Sequence, residues 1–178
     1  MFEDDFRRIT LLLYDSTVPT SRLDAELVPY LDPQIRFTDP WQQGHGLTSY
    51  RLGAAGFHSM FRFDFEVKQV GVTVDEAQRR GRAMVDGVMN LKMLAPFYTY
   101  PLRTLLTYEF QLTGGTPAFR ISDHEEMWTF GDMLEAIPGA GWAYKKYFRR
   151  AFGYAFLGAS YLSARARKNL PAGLAGRA

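Results

Sequence analysis

Three polar residues of this sequence stand where proton chemistry is feasible. Asp39 is the residue before Pro40 in the stretch IRFTDP. Since this proline cannot continue a strand ladder, we expect the Asp39 carboxylate at the mouth of a cavity. His124 and Glu126 are two residues apart in an alternating segment, so one face of a strand carries both. A carboxylate beside an imidazole raises the pKa of the imidazole, which predicts a base or a hydrogen-bond anchor at His124.

The segment that holds His124 has two faces, and only one of them can line a cavity. We expect the face of His124, Glu126 and Trp128 to point inward, because an imidazole, an acid and an indole together are typical of contact with a ligand. A structural pair in the core is the alternative for His124 and Glu126. The opposite face carries Asp123, Glu125 and Met127 together with Phe119 and Ile121.

Aromatic residues near these polar groups predict a pocket that is mostly apolar. Such a lining with a few polar groups suits a small apolar molecule that has one polar end. For each aromatic residue taken alone, ordinary core packing is the alternative. The residues expected to contact the ligand are Trp41, His45, Tyr50, Phe57, Glu126 and Trp128.

Helical periodicity marks the first third of the chain. Two amphipathic helices come first, and we expect the second to stop at Asp32-Pro33. A short strand then ends at Asp39-Pro40. After a turn or lid loop through Gly44 and Gly46, the pattern predicts a helix from Leu47 to about Phe61.

A period of two then predicts four long antiparallel strands. The first shows a register change before Val70, which indicates a bulge, and the last is expected from Ala118 to Phe130 after a tight hairpin at Gly114-Gly115. Helices followed by a meander predict an α+β domain in which N-terminal helices pack on a curved antiparallel sheet.

Charge divides the chain of 178 residues into two parts. Residues 1–135 hold 13 Lys and Arg against all 19 Asp and Glu, whereas residues 136–178 hold 8 Lys and Arg and no acid. The acidic part argues against general nucleic-acid binding. The start MFEDDFRR is unlike a signal peptide and no apolar run is long enough to span a bilayer, so we expect a soluble cytoplasmic protein.

The absence of Cys excludes disulfides and thiolate metal sites. The spacing of Asp39, His45 and His124 gives no support for a metal ion either. We therefore expect neither a metal nor a cofactor.

The basic end reads as an amphipathic aromatic helix from Trp142 to Lys168. A membrane surface, an acidic partner, packing in a dimer and a solvated tail all suit it. The expected organisation is a domain over 1–137, a C-terminal helix over 138–168 and a disordered tail over 169–178.

The element order, with FTDP ending the first strand and GHGLTSY opening the third helix, resembles the nuclear transport factor 2-like superfamily, which includes SnoaL-like cyclases and ketosteroid isomerase. The stretch FRISDHEEMWTFGDMLEAIPGAGWAYKKYFRR resembles uncharacterised bacterial members, in which the last strand runs into a helix, a Pro-Gly break and a basic C-terminal helix. The resemblance implies a cone-shaped fold with one deep pocket, often in a homodimer.

The resemblance to the isomerase also implies a reaction. Tyr14 and Asp39 match its tyrosine and catalytic aspartate, and Asp123-His124 matches its Asp-His pair. Asp39 would then be the general base and Tyr14, with a neutral Asp123, would stabilise an enolate. The preferred strand face excludes Asp123, so the expected catalytic residues are Asp39, Tyr14 and His124.

Three functions are therefore considered. A binding domain without a reaction is our first hypothesis, a cofactor-independent isomerase or cyclase is the second, and a membrane or partner-docking module is the third.

Overall fold

The structure, a computed structural model, describes residues 2–40, 42–92, 98–137 and 139–155. It divides into two compact units, Met1–Thr129 and Phe130–Ala178. Trp41, the part of the predicted C-terminal helix beyond residue 155 and the predicted tail over 169–178 lie outside the described residues. The first unit contains α1 (Phe2–Leu13), α2 (Thr20–Glu26), a 3-10 turn (Val28–Tyr30), β1 (Leu31–Thr38), β2 (Gln43–His45), α3 (Leu47–Met60), β3 (Phe63–Asp75), β4 (Arg80–Lys92), β5 (Thr99–Leu112) and β6 (Phe119–Met127).

The six strands form one sheet in the order β2-β1-β6-β5-β4-β3. All neighbours are antiparallel except β1 and β6, which run parallel. The sheet curves around the helices, which confirms the predicted α+β fold class. The bulge expected in β3 is present as a register shift between Val67 and Gln69.

Helix α1 covers the inner face of the sheet with its apolar side. Phe6 is fully buried and its ring lies 4.7 Å from that of Phe119 and 5.2 Å from that of Phe110. Burial of one such side chain stabilises the fold by about 2 kcal/mol. Because the helix is anchored there, its last turn brings Tyr14 to the centre of the sheet.

The sequence predicted that the Asp32-Pro33 dipeptide ends the second helix. This prediction is wrong, because the dipeptide lies inside β1. Helix α2 ends earlier, at Glu26, and the 3-10 turn leads straight into the strand. Pro33 falls where the ladder with β6 is interrupted, between Leu31 and Arg36, so its missing N–H costs no hydrogen bond. The predicted loop at Gly44 is also wrong in part, because β2 pairs with β1 there.

A bulge in β6 changes which residues share a face. Glu109 pairs with Asp123 and Phe110 with Ile121, so Ser122 is the extra residue. The inward side therefore passes from Ile121 to His124, both buried. The expectation that Phe119 and Ile121 share a face with Asp123 and Glu125 is wrong for this reason, although His124 and Glu126 point inward as preferred.

The second unit is helical. It contains α4 (Phe130–Ala136) and α5 (Ala140–Ala143), and α5 continues through a π-helical stretch (Tyr144–Phe148) to residue 155. We call residues 140–155 the C-terminal helix. Within the unit, Lys145 pairs with Glu135 at 2.6 Å. Across the described ranges, no helix combines the length and the apolar composition that crossing a bilayer requires.

Candidate functional site

His124 lies at the centre of the inner sheet face and has no exposed surface. Register places Tyr108 of β5 and Phe37 of β1 directly beside it on the two neighbouring strands. The ring of Tyr108 stacks on the imidazole with centroids 4.5 Å apart, and the ring of Phe37 meets it edge to face at 5.1 Å. Packing against these two rings of the sheet therefore already orients the imidazole, in addition to its hydrogen bonds.

Two hydroxyl bonds connect His124 to its surroundings, and a third joins Tyr14 to Glu126. The hydroxyl of Tyr50, on α3, lies 2.8 Å from Nδ1, and the hydroxyl of Tyr14 lies 3.2 Å from Nε2. Tyr14 also donates to Oε2 of Glu126 at 2.9 Å. Since the single proton of Tyr14 goes to Glu126, its oxygen accepts the Nε2 proton, and Nδ1 accepts the proton of Tyr50. The contacts therefore define one tautomer of a neutral His124.

Glu126 ends this series of hydrogen bonds. Its Oε1 accepts a bond from Nε1 of Trp128 at 3.1 Å, so each carboxylate oxygen has one donor among the residues that the structure describes. Each oxygen can accept a second bond, which leaves Glu126 able to bind another donor. We call Tyr14, Tyr50, His124, Glu126 and Trp128 the polar cluster.

Burial lowers the pKa of His124 to about 3. The sequence predicted a raised pKa from the adjacent carboxylate, and this prediction is wrong. The hydroxyl of Tyr14 stands between the imidazole and Glu126, and complete burial penalises the charged ring. His124 is accordingly an uncharged hydrogen-bonding group at neutral pH.

Glu126 is the acid of the cluster that titrates near neutrality. Its side chain is almost entirely buried, and its pKa is raised to about 7. Burial is the main cause, the negative charge of Asp39 adds to the rise, and the bonds from Tyr14 and Trp128 oppose it. The residue keeps 8% of its surface exposed. At neutral pH Glu126 therefore exists in both protonation states, which is the condition for general acid–base work.

Asp39 lies one residue beyond β1 and is half-buried. Its Oδ1 accepts the backbone N–H of Gln42 at 2.8 Å and its Oδ2 accepts the side-chain amide of Gln42 at 3.0 Å. These bonds hold the turn that leads into β2. Asp39 thus acts on Glu126 by its charge while its oxygens hold the turn.

The other predicted site residues are placed separately. His45 is exposed on β2, and Phe57 packs on Phe63 with ring centroids 4.7 Å apart. Asp123 forms an ion pair with Arg36 at 2.8 Å and so stays out of the cluster. Within the described residues, no three His, Asp or Glu side chains are grouped as ligands for a metal ion.

A cavity of about 400 Å³ lies along α2, the 3-10 turn and α3. Tyr50 forms part of its wall, and the hydroxyl of the same residue bonds to His124. The volume is within the range of small-molecule sites. Its remaining wall is mostly apolar and includes Leu23, Leu27, Val28, Leu31, Leu52 and Ala54.

The sequence analysis missed the structural roles of one tyrosine, Tyr108, and one histidine, His58. Tyr108 stacks on His124 and its hydroxyl lies 3.1 Å from that of Thr10; its alternation on β5 was the available signal. His58, to which the sequence assigned no role, is buried and its Nε2 donates to the carbonyl of Leu13 at 2.7 Å. This bond satisfies a carbonyl at the end of α1, next to Tyr14.

The sequence matches no protein-family model and no curated protein. Several solved structures share its fold over part of the chain. Nuclear transport factor 2 from Cryptosporidium parvum matches with a TM-score of 0.54 at 15% identity, over 71% of this chain and 91% of that one. An NTF2-like protein of unknown function from Pseudomonas putida matches with 0.54 at 14% identity, over 72% and 87%.

A putative scytalone dehydratase from Novosphingobium aromaticivorans matches with a TM-score of 0.55 at 11% identity, over 72% of this chain and 82% of that one. Matches at sequence identities this low support the fold and give no information about activity. The curved sheet, the covering helices and these matches together show that the chain has the nuclear transport factor 2-like fold.

Proposed function

We propose that the first unit binds a small, mainly apolar molecule that presents one hydroxyl or carbonyl group to Glu126. The polar end of the site consists of Glu126 with Asp39 beside it and His124 behind it. The observation that carries this proposal is a buried carboxyl group with hydrogen-bonding capacity to spare, since among the described residues each of its two oxygens accepts one bond. A carboxyl kept in such surroundings is costly for stability, and a ligand group offsets that cost.

A binding site without a reaction is enough to explain a single polar end in otherwise apolar surroundings. Tyr14, Tyr50 and His124 are bonded to one another, so they hold Glu126 in place and leave it as the group available to a ligand. Burial raises the pKa of Tyr14 and of Tyr50 well above the ordinary value, so both hydroxyls stay protonated donors. A preorganised polar end of this kind fixes the orientation of an otherwise apolar ligand.

A proton-transfer reaction is the second candidate, and the pKa of Glu126 near 7 favours it. Two of the structures that share the fold are those of putative dehydratases, one from Novosphingobium aromaticivorans and one from Streptomyces avermitilis. In this proposal Glu126 takes over the role of general base that the sequence suggested for Asp39. Asp39 raises the proton affinity of Glu126 and so tunes it.

Native mass spectrometry of the purified full chain tests binding. We expect a co-purified small molecule on the wild type and its loss from Glu126→Gln. Arg103→Gln is the control, because the side chain of Arg103 is 80% exposed on the outer sheet face. Thermal shifts with a panel of naphthols and cyclic ketones provide the second readout. If Glu126→Gln binds the same molecules as wild type, the proposed polar end is wrong.

Proton transfer is tested separately with cyclohexanone in deuterated water. Exchange at the carbon beside the carbonyl, followed by NMR, should accelerate with wild type and not with Glu126→Gln. An unaccelerated exchange alongside Glu126-dependent binding would remove the reaction and leave the binding proposal. The predicted homodimer is a further proposal, which light scattering on the same samples measures.

A further inference from the structure

The C-terminal helix carries a column of aromatic rings on one face. Tyr144, Phe148 and Phe152 follow one another at a spacing of four residues, which places them above one another. The rings of Tyr144 and Phe148 stack at 5.5 Å and 20°, and those of Phe148 and Phe152 at 6.2 Å and 16°. Phe148 is 60% exposed and Phe152 62% exposed, so the edge of the column faces outward.

A second exposed aromatic pair lies at the start of this helix. Trp142 is 58% exposed and Tyr147 56% exposed. The ammonium group of Lys146 lies 4.7 Å from the Trp142 ring and 5.5 Å from the Tyr147 ring. Aromatic rings and a cation are therefore presented together.

The charge of this region has one sign. The chain holds no Asp or Glu after residue 135, whereas Lys145, Lys146, Arg149 and Arg150 lie on the helix. Lys145 is paired with Glu135. Over the described residues, no carboxylate lies in salt-bridge range of Lys146, Arg149 or Arg150. Exposed aromatic rings among cations that have no salt bridge within the described part of the chain complement a surface that is anionic outside and apolar beneath.

We infer that the C-terminal helix binds the surface of an anionic lipid bilayer. In this arrangement the aromatic column enters the headgroup boundary, where rings are favoured, and Lys146, Arg149 and Arg150 contact lipid phosphates. The helix lies along the surface and does not cross it, since no described helix is suited to crossing.

Two other partners fit the geometry less well. Stacking on nucleic-acid bases needs free ring faces, and in the column these faces are occupied by neighbouring rings. A second copy of the same helix brings like charges together, which costs free energy. A lipid surface accepts ring edges and supplies negative charge at once.

Co-sedimentation of the full-length chain with vesicles tests the inference. Phosphatidylcholine vesicles containing a third of phosphatidylglycerol should pellet the wild type, pure phosphatidylcholine should pellet much less, and added salt should weaken binding. Phe148→Ser with Phe152→Ser, and separately Arg149→Glu with Arg150→Glu, should each lower the partition coefficient by at least about tenfold. The matched control is Leu52→Ser with Met60→Ser on α3, two side chains that are 69% and 70% exposed.

Circular dichroism and melting temperatures confirm that the variants fold. Failure of the wild type to pellet, equal binding to neutral vesicles, or equal binding by all variants overturns the inference. So does binding to a single-stranded oligonucleotide without vesicle binding, which would assign the helix to nucleic acid. Dimerisation that depends on Phe148 without vesicle binding would assign it to a second copy.

Discussion

Tyr14 donates a hydrogen bond to Oε2 of Glu126 over 2.9 Å, although the two residues are 112 positions apart in the chain. The bond joins the last turn of the first helix to the last strand of the sheet. Because the Tyr14 oxygen also accepts from His124, one hydroxyl sets both the tautomer of the imidazole and the proton affinity of the carboxyl. Variants at this junction therefore separate the parts of the polar cluster.

Tyr14→Phe should raise the pKa of Glu126 above its value of about 7. The Tyr14 hydroxyl stabilises the charged carboxylate, and phenylalanine removes that donor while keeping the ring and the burial. Carbon-13 NMR of labelled Glu carboxyl groups measures the shift, with the Glu126→Gln spectrum as assignment. The free energy of unfolding should also fall by about 1–3 kcal/mol, because His124 loses an acceptor. An unchanged or lowered pKa would contradict the contact.

Asp39→Asn should move the pKa of Glu126 in the opposite direction. The negative charge of Asp39 raises that pKa, so a neutral amide brings it closer to the ordinary value of 4.5. Asn keeps an oxygen for the backbone N–H of Gln42, so the turn should persist. The same NMR titration gives the answer. If the pKa of Glu126 stays at about 7, Asp39 does not act on it.

The sequence predicted the helices and strands of the fold better than it predicted which face of the sheet a given side chain points to. Alternation predicted four long antiparallel strands, and β3 to β6 are those strands. The bulge at Ser122 was beyond its reach, because an extra residue reverses alternation without leaving a mark in composition. Asp32-Pro33 misled for a related reason, since a proline at a gap in a ladder looks the same as one that ends a helix.

The sequence named all five residues of the polar cluster but missed the electrostatics of the cluster. Tyr14, Tyr50, His124, Glu126 and Trp128 were all named from sequence, and the structure brings them together. Distance along a strand cannot show that a hydroxyl from another element separates two side chains. The pKa direction of His124 depended on that hydroxyl and on complete burial, both of which are tertiary facts.

Gly87→Ala should destabilise the curved sheet under α1. A Cβ atom there would lie 2.2 Å from Cε1 of Phe65 and 2.7 Å from the backbone oxygen of Glu66, so the core must shift. We expect a loss of about 1–3 kcal/mol in the free energy of unfolding. Gly71→Ala, one strand away, is the matched control because nothing lies within 4 Å of its added Cβ. It should be neutral or stabilise by up to about 1 kcal/mol. Equal urea midpoints for the two variants would refute the close contact.

The pH dependence of stability should show Glu126 and His124 opposing each other. The pKa of Glu126 is raised to about 7, so the folded state holds its proton longer and stability is lost as pH rises from about 4.5 to 7. The pKa of His124 is lowered to about 3, so the unfolded state binds the proton first and stability is lost as pH falls from about 6.5 to 3. Each slope reaches about 1.4 kcal/mol per pH unit.

Between pH 4.5 and 6.5 the two slopes have opposite signs, so the wild type should show little net contribution from the pair. Glu126→Gln removes one of them, and its unfolding free energy should then rise with pH across this window relative to wild type. Urea titrations at several pH values measure the difference in unfolding free energy between the two proteins. Contributions from titratable groups that both proteins share cancel in this difference. Nitrogen-15 NMR should show His124 neutral, with its proton on Nε2, at pH 8. Parallel stability curves for wild type and variant would mean that Glu126 keeps an ordinary pKa in the folded protein, and a His124 that titrates near pH 6.5 would place its imidazole in contact with water.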